Sequence, residues 1–348
     1  MKLNFCTLFN SAYLSRGLAL HQSLMEQCKA FHLYVFAFDD LSFIYLSGLD
    51  LPNMTVISLK TFEDKALLDI KSGRTAAEYC WTCTPSTVLY CIEKYNLTHC
   101  TYIDADMYFY SDPAVLVEEM GDNAVLITDH RYTSRYDQSG KSGKYCVQFV
   151  CFKNTEQGLK VLNWWRNACI EWCYNRFEDG KFGDQKYLDD WTTRFDGVHD
   201  LRHLGGGVAP WNVQQYSFNR ENGKLIGLEI SSSKRFYLVF YHYHSLRFFE
   251  GDVVCYCDTE YDLSPEVKEL LYRPYVKNLM KHYRGIKNKN AGINANGVFG
   301  PAPYQPMRLA TLWKYYRENI ASSRRNILGF RLLRQICNHY YFYTSDFT

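Results

Sequence analysis

The stretch TYIDADMYFYSDP, residues 101–113, places two aspartates one residue apart at the end of an apolar run. Asp104 and Asp106 carry like charges, and like charges so close repel unless a counter-charge offsets the repulsion. Carboxylate oxygens that leave room for water or phosphate oxygens are ligands that Mg²⁺ and Mn²⁺ prefer. The pair therefore predicts a divalent metal site, Mn²⁺ or Mg²⁺. A solvated turn, with one carboxylate capping it, is the alternative.

The apolar run ends a series of strand-like segments separated by helical patterns. Such alternation predicts an α/β fold with a parallel sheet covered by helices on both faces. The helix over 14–27 has apolar residues on one face, and the helix over 75–95 contains Pro85, which we expect to kink or split it. A further helix is predicted over 154–177. The predicted strands are 3–9, 31–38, 54–59, 100–104, 123–129 and 145–152.

Polar turns follow three of these strands, at 10–13, at 39–40 and at 104–106. In parallel sheets, ligands bind outside the carboxyl ends of the strands, so we expect the turns to meet at one crevice. The first strand is followed by neither G-x-G-x-x-G nor a Walker loop. Those absences count against a dinucleotide-binding oxidoreductase and a P-loop kinase.

The strand followed by IDADMYFYSDP, with the turn NSAY after the first strand, resembles glycosyltransferases of the GT-A fold. The motif order over residues 3–250 is most similar to family 8-type enzymes and related bacterial polysaccharide glycosyltransferases. The resemblance implies one Rossmann-like mixed sheet flanked by helices. It also implies transfer of a sugar from a nucleotide diphosphate donor, usually a UDP-sugar, with a metal held by the D-x-D pair and a histidine. Retention of anomeric configuration is implied by the resemblance only.

The histidine is sought in LVFYHYHSLRFF, where His242 and His244 end an apolar strand. The resemblance implies that His242 is the metal ligand, and the H-x-H array keeps His244 as a second candidate. Hydrogen-bonded core packing is the alternative for both. The family's glycine is replaced by Ser245 and its Lys-Pro-Trp is missing, so Arg247 is the candidate replacement for the phosphate-binding lysine.

Two further segments resemble the acceptor side of the family. In FGDQKYLDDW, the resemblance implies that Asp184 binds or orients a sugar hydroxyl and that Gln185 approaches the anomeric carbon; a helix N-cap is as ordinary a role for Asp184. In RHLGGGVAPWNV, Gly206 and Trp211 are the acceptor-binding candidates, because glycine permits close approach and sugars pack on rings. A plain turn with a core tryptophan is the alternative.

The first two polar turns supply candidate contacts with the nucleotide. Asn10 and Tyr13 are placed to meet the base, with Tyr13 available for stacking, and Asp39 is placed to accept a hydrogen bond from the base or ribose. Turns after strands are polar for many reasons, so a structural role is the alternative for each.

Composition adds a basic C-terminal region to an acidic body. The net charge is only +2, which gives no reason to expect nucleic acid, but residues 261–348 hold 14 Lys and Arg against 5 Asp and Glu. We expect a glycosyltransferase domain over 1–255 and a helical, basic and aromatic region over 256–348. Aromatics such as Trp313, Tyr315 and Tyr316 among basic residues suggest peripheral contact with anionic lipid. A basic subdomain docked on the acidic body is the alternative.

Thirteen scattered cysteines and the lack of a signal-like opening favour reduced thiols and a cytoplasmic location, with peripheral contact at the inner face of the membrane. The expected partners are a UDP-sugar donor and a glycan or lipid-linked acceptor, as in surface polysaccharide synthesis. Two other classes stay open. A sugar-phosphate nucleotidyltransferase should carry a glycine-rich basic loop after the first strand, which NSAYLSRG lacks. A non-catalytic GT-A-like assembly protein would have lost the metal-binding residues.

Overall fold

The computed structural model describes residues 1–304, 306 and 338–343. Their strands alternate with helices through the first half of the chain, and short strands dominate the second half. The strands are β1 Leu3–Phe9, β2 Phe31–Ala37, β3 Met54–Ser58, β4 His99–Ile103, β5 Met107–Phe109, β6 Val125–Asp129, β7 Tyr145–Lys153, β8 Val198–Asp200, β9 Tyr216–Glu221, β10 Lys224–Glu229, β11 Arg235–Tyr237, β12 Phe240–His242, β13 Arg247–Glu250, β14 Val253–Cys255, β15 Phe299–Pro301 and β16 Tyr340–Phe342.

The α-helices range from single turns to five and a half turns, and short 3₁₀ segments lie between them. They are α1 Leu14–Gln27, α2 Asp40–Ser47, α3 Leu59–Phe62, α4 Lys65–Lys71, α5 Ala76–Tyr95, α6 Ala114–Glu119, α7 Ser139–Ser142, α8 Glu156–Glu171, α9 Trp191–Arg194, α10 Pro265–Val267 and α11 Arg273–Lys289. Among the described residues, none of these helices has the length and apolarity needed to cross a lipid bilayer.

A seven-stranded mixed sheet forms the centre, in the order β3-β2-β1-β4-β7-β6-β8. Strands β3, β2, β1 and β4 run parallel, β7 is antiparallel to both of its neighbours, and β6 is parallel to β8. Every residue of β1 is buried, as expected for a parallel strand covered on both faces. The predicted α/β fold, a single mixed sheet flanked by helices, is confirmed.

Helix α5 shows where local sequence rules fail. It runs unbroken from Ala76 to Tyr95, so the predicted split at Pro85 is wrong. Thr75 and Glu78 form a capping box at its start, and its buried face packs on β1, β4 and α8. Most helical stability in proteins comes from such packing, which here outweighs the roughly 3 kcal/mol cost of an internal proline. Helix α8 ends at Glu171 and is shorter than the predicted 154–177.

Three smaller sheets accompany the large one, in the orders β11-β10-β9, β12-β5 and β15-β13-β14-β16. Helix α11 packs on α1, and its Tyr275 stacks on Tyr243 at a centroid distance of 3.7 Å. The described part of 256–348 therefore shares a core with the sheet region, and its division into a domain of its own stays a prediction. Within the predicted helical, basic and aromatic region, residues 307–337, with Trp313, Tyr315 and Tyr316, lie outside the described residues.

Candidate functional site

A two-stranded ladder brings the aspartate pair to the histidine. Strand β5 pairs antiparallel with β12, which sets Met107 opposite His242. The Tyr243 N–H also donates to the Asp106 carbonyl, at 2.9 Å. The predicted polar turn at 104–106 is present, with the Met107 N–H donating to the Asp104 carbonyl at 3.2 Å. The ladder between β5 and β12 makes the side chains converge.

Asp104, Asp106 and His242 form a compact cluster of metal-ligand atoms. The His242 Nε2 lies 3.1 Å from Asp106 Oδ1 and 3.6 Å from Asp104 Oδ2, and one ligand atom from each residue lies within 4.8 Å of the others. The Asp104 side chain is 29% exposed, against 12% for Asp106 and 5% for His242. Two carboxylates and an imidazole, with one carboxylate open to solvent, fit a hard divalent cation that keeps exchangeable positions.

The electrostatics of the cluster favour a cation between the carboxylates. Burial opposes charge on His242, but Asp106 and Asp104 outweigh it and hold the pKa of His242 well above its usual value. Burial would raise the pKa of Asp106, yet the charge of His242 and its hydrogen bond lower it to about 2. Burial raises the pKa of Asp104, although His242 opposes the shift. A metal ion would take the place of the proton that the imidazole holds.

Two residues that the sequence analysis missed hold the cluster in place. Gln148 is fully buried, and its Oε1 lies 2.8 Å from His242 Nδ1. The Tyr102 hydroxyl donates to Asp104 Oδ1 at 3.0 Å. Gln148 is the one amide in the apolar segment YCVQFVCF, and this isolated polar residue is the feature from which a buried role could have been predicted. Nothing in the local pattern of Tyr102 distinguishes it from other strand tyrosines.

Arg16 is a third residue that sequence reasoning missed. It is buried in the first turn of α1, where its Nη2 donates to the Leu246 carbonyl at 2.8 Å and its guanidinium lies 4.4 Å from the ring centroid of Tyr13. Its charge contributes to lowering the pKa of Asp106. The crevice therefore carries a fixed positive charge beside the acidic cluster.

His244 lies outside the three-residue cluster. Its Nε2 is 3.9 Å from Asp258 Oδ2, and the Arg247 Nη2 is 3.2 Å from Asp258 Oδ1. Strand β12 ends at His242 and the chain turns at Ser245, which has a φ of +61°. The His244 ring nevertheless stays near the cluster, 5.7 Å from the His242 ring and 5.5 Å from the Trp211 ring between centroids. Arg247 stays half exposed next to the crevice.

The first two turns meet through Asp39. Its carboxylate accepts from the Ser11 N–H at 2.9 Å and the Ser11 hydroxyl at 2.7 Å, and it caps α2 through the Ser42 N–H. Asn10 caps the 3₁₀ turn that follows β1, accepting from the Ala12 N–H at 3.1 Å. Both side chains have structural partners.

Tyr13, in the same turn, has a side chain that is partly exposed to solvent. Its side chain is 39% exposed beside Arg16, and the charges of Asp104 and Asp106 act on its hydroxyl. The structure therefore leaves this ring open at the crevice, close to the acidic cluster.

Asp184 lies near the cluster, whereas the Gln185 amide is held elsewhere. Burial and the charge of Asp104 raise the pKa of Asp184 to about 7. The alternative role as an N-cap fails, because Gln185 is the N-cap of the 3₁₀ segment Lys186–Asp190. The Gln185 side chain donates to the Ser142 carbonyl at 2.8 Å.

Gly206 and Trp211 are both buried. A Cβ at Gly206 would come 2.7 Å from Leu201 Cδ2 and 2.9 Å from Leu116 Cδ2, so this glycine packs against core leucines. Trp211 donates its Nε1–H to the His130 carbonyl at 3.0 Å, and its ring meets that of His242 edge-on at 5.4 Å. The structure places Trp211 beneath the cluster, as support for the imidazole.

A cavity of about 270 Å³ opens at the end of β6, lined by Asp129, Arg131, Tyr132, Lys144 and Gln215 among others. Strands β6 and β4 run in the same direction with β7 between them, so their carboxyl ends lie at the same edge of the sheet, and β6 extends four residues further along β7 than β4 does. Tyr132 stacks on His130, which contacts Trp211. Packed rings thus connect the cavity to the acidic cluster, since Trp211 also contacts His242.

Comparison with known proteins gives relatives of similar length. No protein-family profile matches the chain. The uncharacterized protein YfnD of Bacillus subtilis (strain 168) is 29% identical over 283 residues, covering 80% of this chain and 89% of that protein. The uncharacterized protein YfnF of the same organism is 30% identical over 293 residues, covering 81% of this chain and 94% of that protein.

Among solved structures, similar ones include the galactosyltransferase LgtC in complex with donor and acceptor sugar analogs. That structure is 10% identical to the chain with a TM-score of 0.49, covering 81% of this chain and 99% of that one. The identity to YfnF over most of both sequences shows that the chain belongs to the YfnF family.

Proposed function

We propose that the protein is a metal-dependent glycosyltransferase. It moves a sugar from a nucleotide diphosphate donor, a UDP-sugar, to a hydroxyl of a glycan or lipid-linked acceptor in surface polysaccharide synthesis. One observation carries the proposal: Asp104, Asp106 and His242 converge at the carboxyl edge of the sheet, with Asp104 open to solvent. A cluster of this kind suits a cation shared between protein and phosphate oxygens.

Asp104, Asp106 and His242 would hold Mn²⁺ or Mg²⁺. A divalent cation bound there supplies positive charge that stabilises the diphosphate as it leaves the sugar. Arg16 adds a second, fixed charge behind the acidic cluster. Arg247 is half exposed at the rim, where a guanidinium can bind phosphate oxygens with two parallel hydrogen bonds.

The nucleotide would lie over the turn after β1. Tyr13 offers an exposed ring for the base, and Asn10 borders it. Asp39 acts through the Ser11 turn that it holds, which leaves its carboxylate little capacity for the ribose.

The acceptor would enter from the cavity at the end of β6. Tyr132 provides a ring there, while Asp129 and Lys144 provide a hydrogen-bond acceptor and a donor for sugar hydroxyls. Gly206 and Trp211 are buried, so they would act on the acceptor only through the residues that pack on them. Asp184, whose pKa burial and the charge of Asp104 raise to about 7, would donate a hydrogen bond to a sugar hydroxyl.

Gln185 is proposed, together with Asp184, as a catalytic residue. It would have to leave the Ser142 carbonyl to approach the anomeric carbon. Retention of configuration remains an expectation of the resemblance, and a contribution of His244 to metal binding remains an expectation of the H-x-H array.

The proposal is tested by UDP release from a panel of UDP-sugars in Mn²⁺, with EDTA and the Asp106→Asn variant as negative controls. We expect release from one or a few donors, abolished by EDTA and reduced at least a hundredfold in Asp106→Asn. The exposed Asp190→Asn is the matched control and should keep full activity. Pyrophosphate formation from UTP and a sugar phosphate, without UDP release, would refute the proposal in favour of a nucleotidyltransferase. If the protein bound a UDP-sugar without needing Mn²⁺ and released no UDP, the result would favour a non-catalytic assembly protein.

We also propose peripheral contact with anionic lipid, which would bring a lipid-linked acceptor within reach. Helix α11 ends in Lys287 and Lys289, and Lys289 lies beside the exposed apolar side chains of Leu41 and Ile44 on α2. Apolar and basic groups side by side suit a bilayer interface. Sedimentation with phosphatidylglycerol vesicles, but not phosphatidylcholine vesicles, should be lost when both lysines become glutamate. Equal sedimentation of this variant and the wild type would refute the contact.

A further inference from the structure

We propose that Gln148 is a positioning residue that fixes which ring nitrogen of His242 faces Asp104 and Asp106. The inference rests on the proposed metal centre. It goes beyond it by assigning a role to a buried side chain that the three-residue cluster does not include.

The backbone places Gln148 directly opposite Asp104. The Asp104 N–H donates to the Gln148 carbonyl at 3.2 Å, which continues the ladder between β4 and β7 by one pair. Opposed residues of an antiparallel pair point their side chains to the same face. The Gln148 side chain therefore reaches the far side of His242, and its Oε1 lies 2.8 Å from Nδ1.

The chemistry of this contact decides the tautomer. A neutral imidazole has one N–H donor and one lone pair, and an amide oxygen can only accept. When Gln148 Oε1 accepts from Nδ1–H, the lone pair is on Nε2, which is the nitrogen 3.1 Å from Asp106 Oδ1. The opposite tautomer would direct an N–H at the carboxylates and exclude a cation. Orienting a ligand ring through its second nitrogen is a common role of such partners.

A functional reason for the glutamine is needed because its amide is only half satisfied. The Nε2 of Gln148 is fully buried and has no hydrogen-bond partner among the described residues. A buried unpaired donor destabilises a fold, and leucine would fill much the same volume without that cost. Gly207, with a φ of +99°, lies next to this amide: a Cβ there would be in contact with the Gln148 Nε2 at 3.4 Å.

The test measures Mn²⁺ affinity by titration calorimetry and does not depend on activity. Gln148→Leu removes the acceptor, and we expect its Kd for Mn²⁺ to rise 10- to 100-fold. Gln148→Glu keeps an oxygen for Nδ1–H and should stay within about threefold of wild type, a rescue that a merely space-filling role would not give. Thr128→Val is the matched control: it also deletes a buried hydrogen bond on a neighbouring strand, to the Phe149 carbonyl, but should leave the Kd unchanged.

An unchanged Kd in Gln148→Leu, or an equal loss in Thr128→Val, would overturn the inference while leaving the metal centre intact. Wild-type protein that binds no Mn²⁺ would overturn the proposed metal centre itself, and the role of Gln148 with it. If Gln148→Leu does not fold, ¹⁵N NMR of the wild type with Mg²⁺, with His242→Asn used for assignment, decides the matter. In the metal-bound protein, a proton on Nδ1 of His242 alone supports the inference, and a proton on Nε2 alone overturns it.

Discussion

Replacing Asp184 by asparagine should make the protein more stable at neutral pH and leave it unchanged at acidic pH. Asp184 is buried, and burial together with the charge of Asp104 raises its pKa to about 7. In the unfolded chain the same carboxyl ionises near its ordinary value of 3.8. Between these two values the unfolded state has lost a proton that the folded state keeps, so the free energy of unfolding falls as the pH rises.

The size of the effect follows from the separation of the two pKa values. Each pKa unit corresponds to about 1.4 kcal/mol, so ionising Asp184 in the folded protein costs about 4 kcal/mol once the pH exceeds 7. Asparagine has nearly the same shape and keeps an oxygen that can accept from Thr84 and from the Gln185 N–H. The variant should therefore match the wild type near pH 4 and exceed its stability by about 4 kcal/mol near pH 8.

Urea denaturation at intervals from pH 4 to pH 8 in EDTA measures this difference directly, and subtracting the wild-type curve cancels the other titrating groups. Asp190→Asn, at an exposed position, is the control and should give a flat difference. If Asp184→Asn gave an equally flat difference, the carboxyl would not be buried beside Asp104 as described, and its proposed role as a neutral donor would fail with it.

Three further predictions concern core packing at Gly206, helix capping by Asp39 and phosphate binding by Arg247. Gly206→Ala should destabilise the fold by about 1–3 kcal/mol in thermal denaturation without changing Mn²⁺ affinity, because its Cβ would clash with core leucines. Asp39→Ala should cost about 1 kcal/mol of unfolding free energy through the lost cap of α2, and it should weaken UDP binding because the Ser11 turn is released. Arg247→Ala should leave the melting temperature within about 2 °C, since exposed pairs such as the one with Asp258 contribute little, yet raise the Kd for UDP about tenfold or more in fluorescence titration.

The fold and half of the metal site could be predicted because they depend on short-range patterns. Apolar runs and their alternation with helices locate β1, β2 and β4 to within one residue. A D-x-D pair at a strand end is recognisable without knowing what lies opposite. His242 could be proposed because the resemblance to GT-A glycosyltransferases implies a histidine ligand at the end of a later strand.

The remaining features depend on contacts between distant segments. Gln148 and Arg16 reach the site through β7 and α1, and the local sequence of neither shows that it faces a carboxylate. Pro85 reads as a helix breaker until the packing of α5 is known. Gly206 and Trp211 have ligand-like surroundings in sequence, but the structure buries both against the core.

The measurement that tests the central claim most directly is a calorimetric titration of Mn²⁺ into the wild type and into Asp104→Asn, Asp106→Asn and His242→Asn, followed by UDP. We expect the wild type to bind one Mn²⁺ and then UDP, and each variant to lose at least tenfold in Mn²⁺ affinity while its circular dichroism spectrum stays unchanged. Equal Mn²⁺ binding by the wild type and all three variants, or UDP binding that is indifferent to the metal, would contradict a cation seated between these side chains.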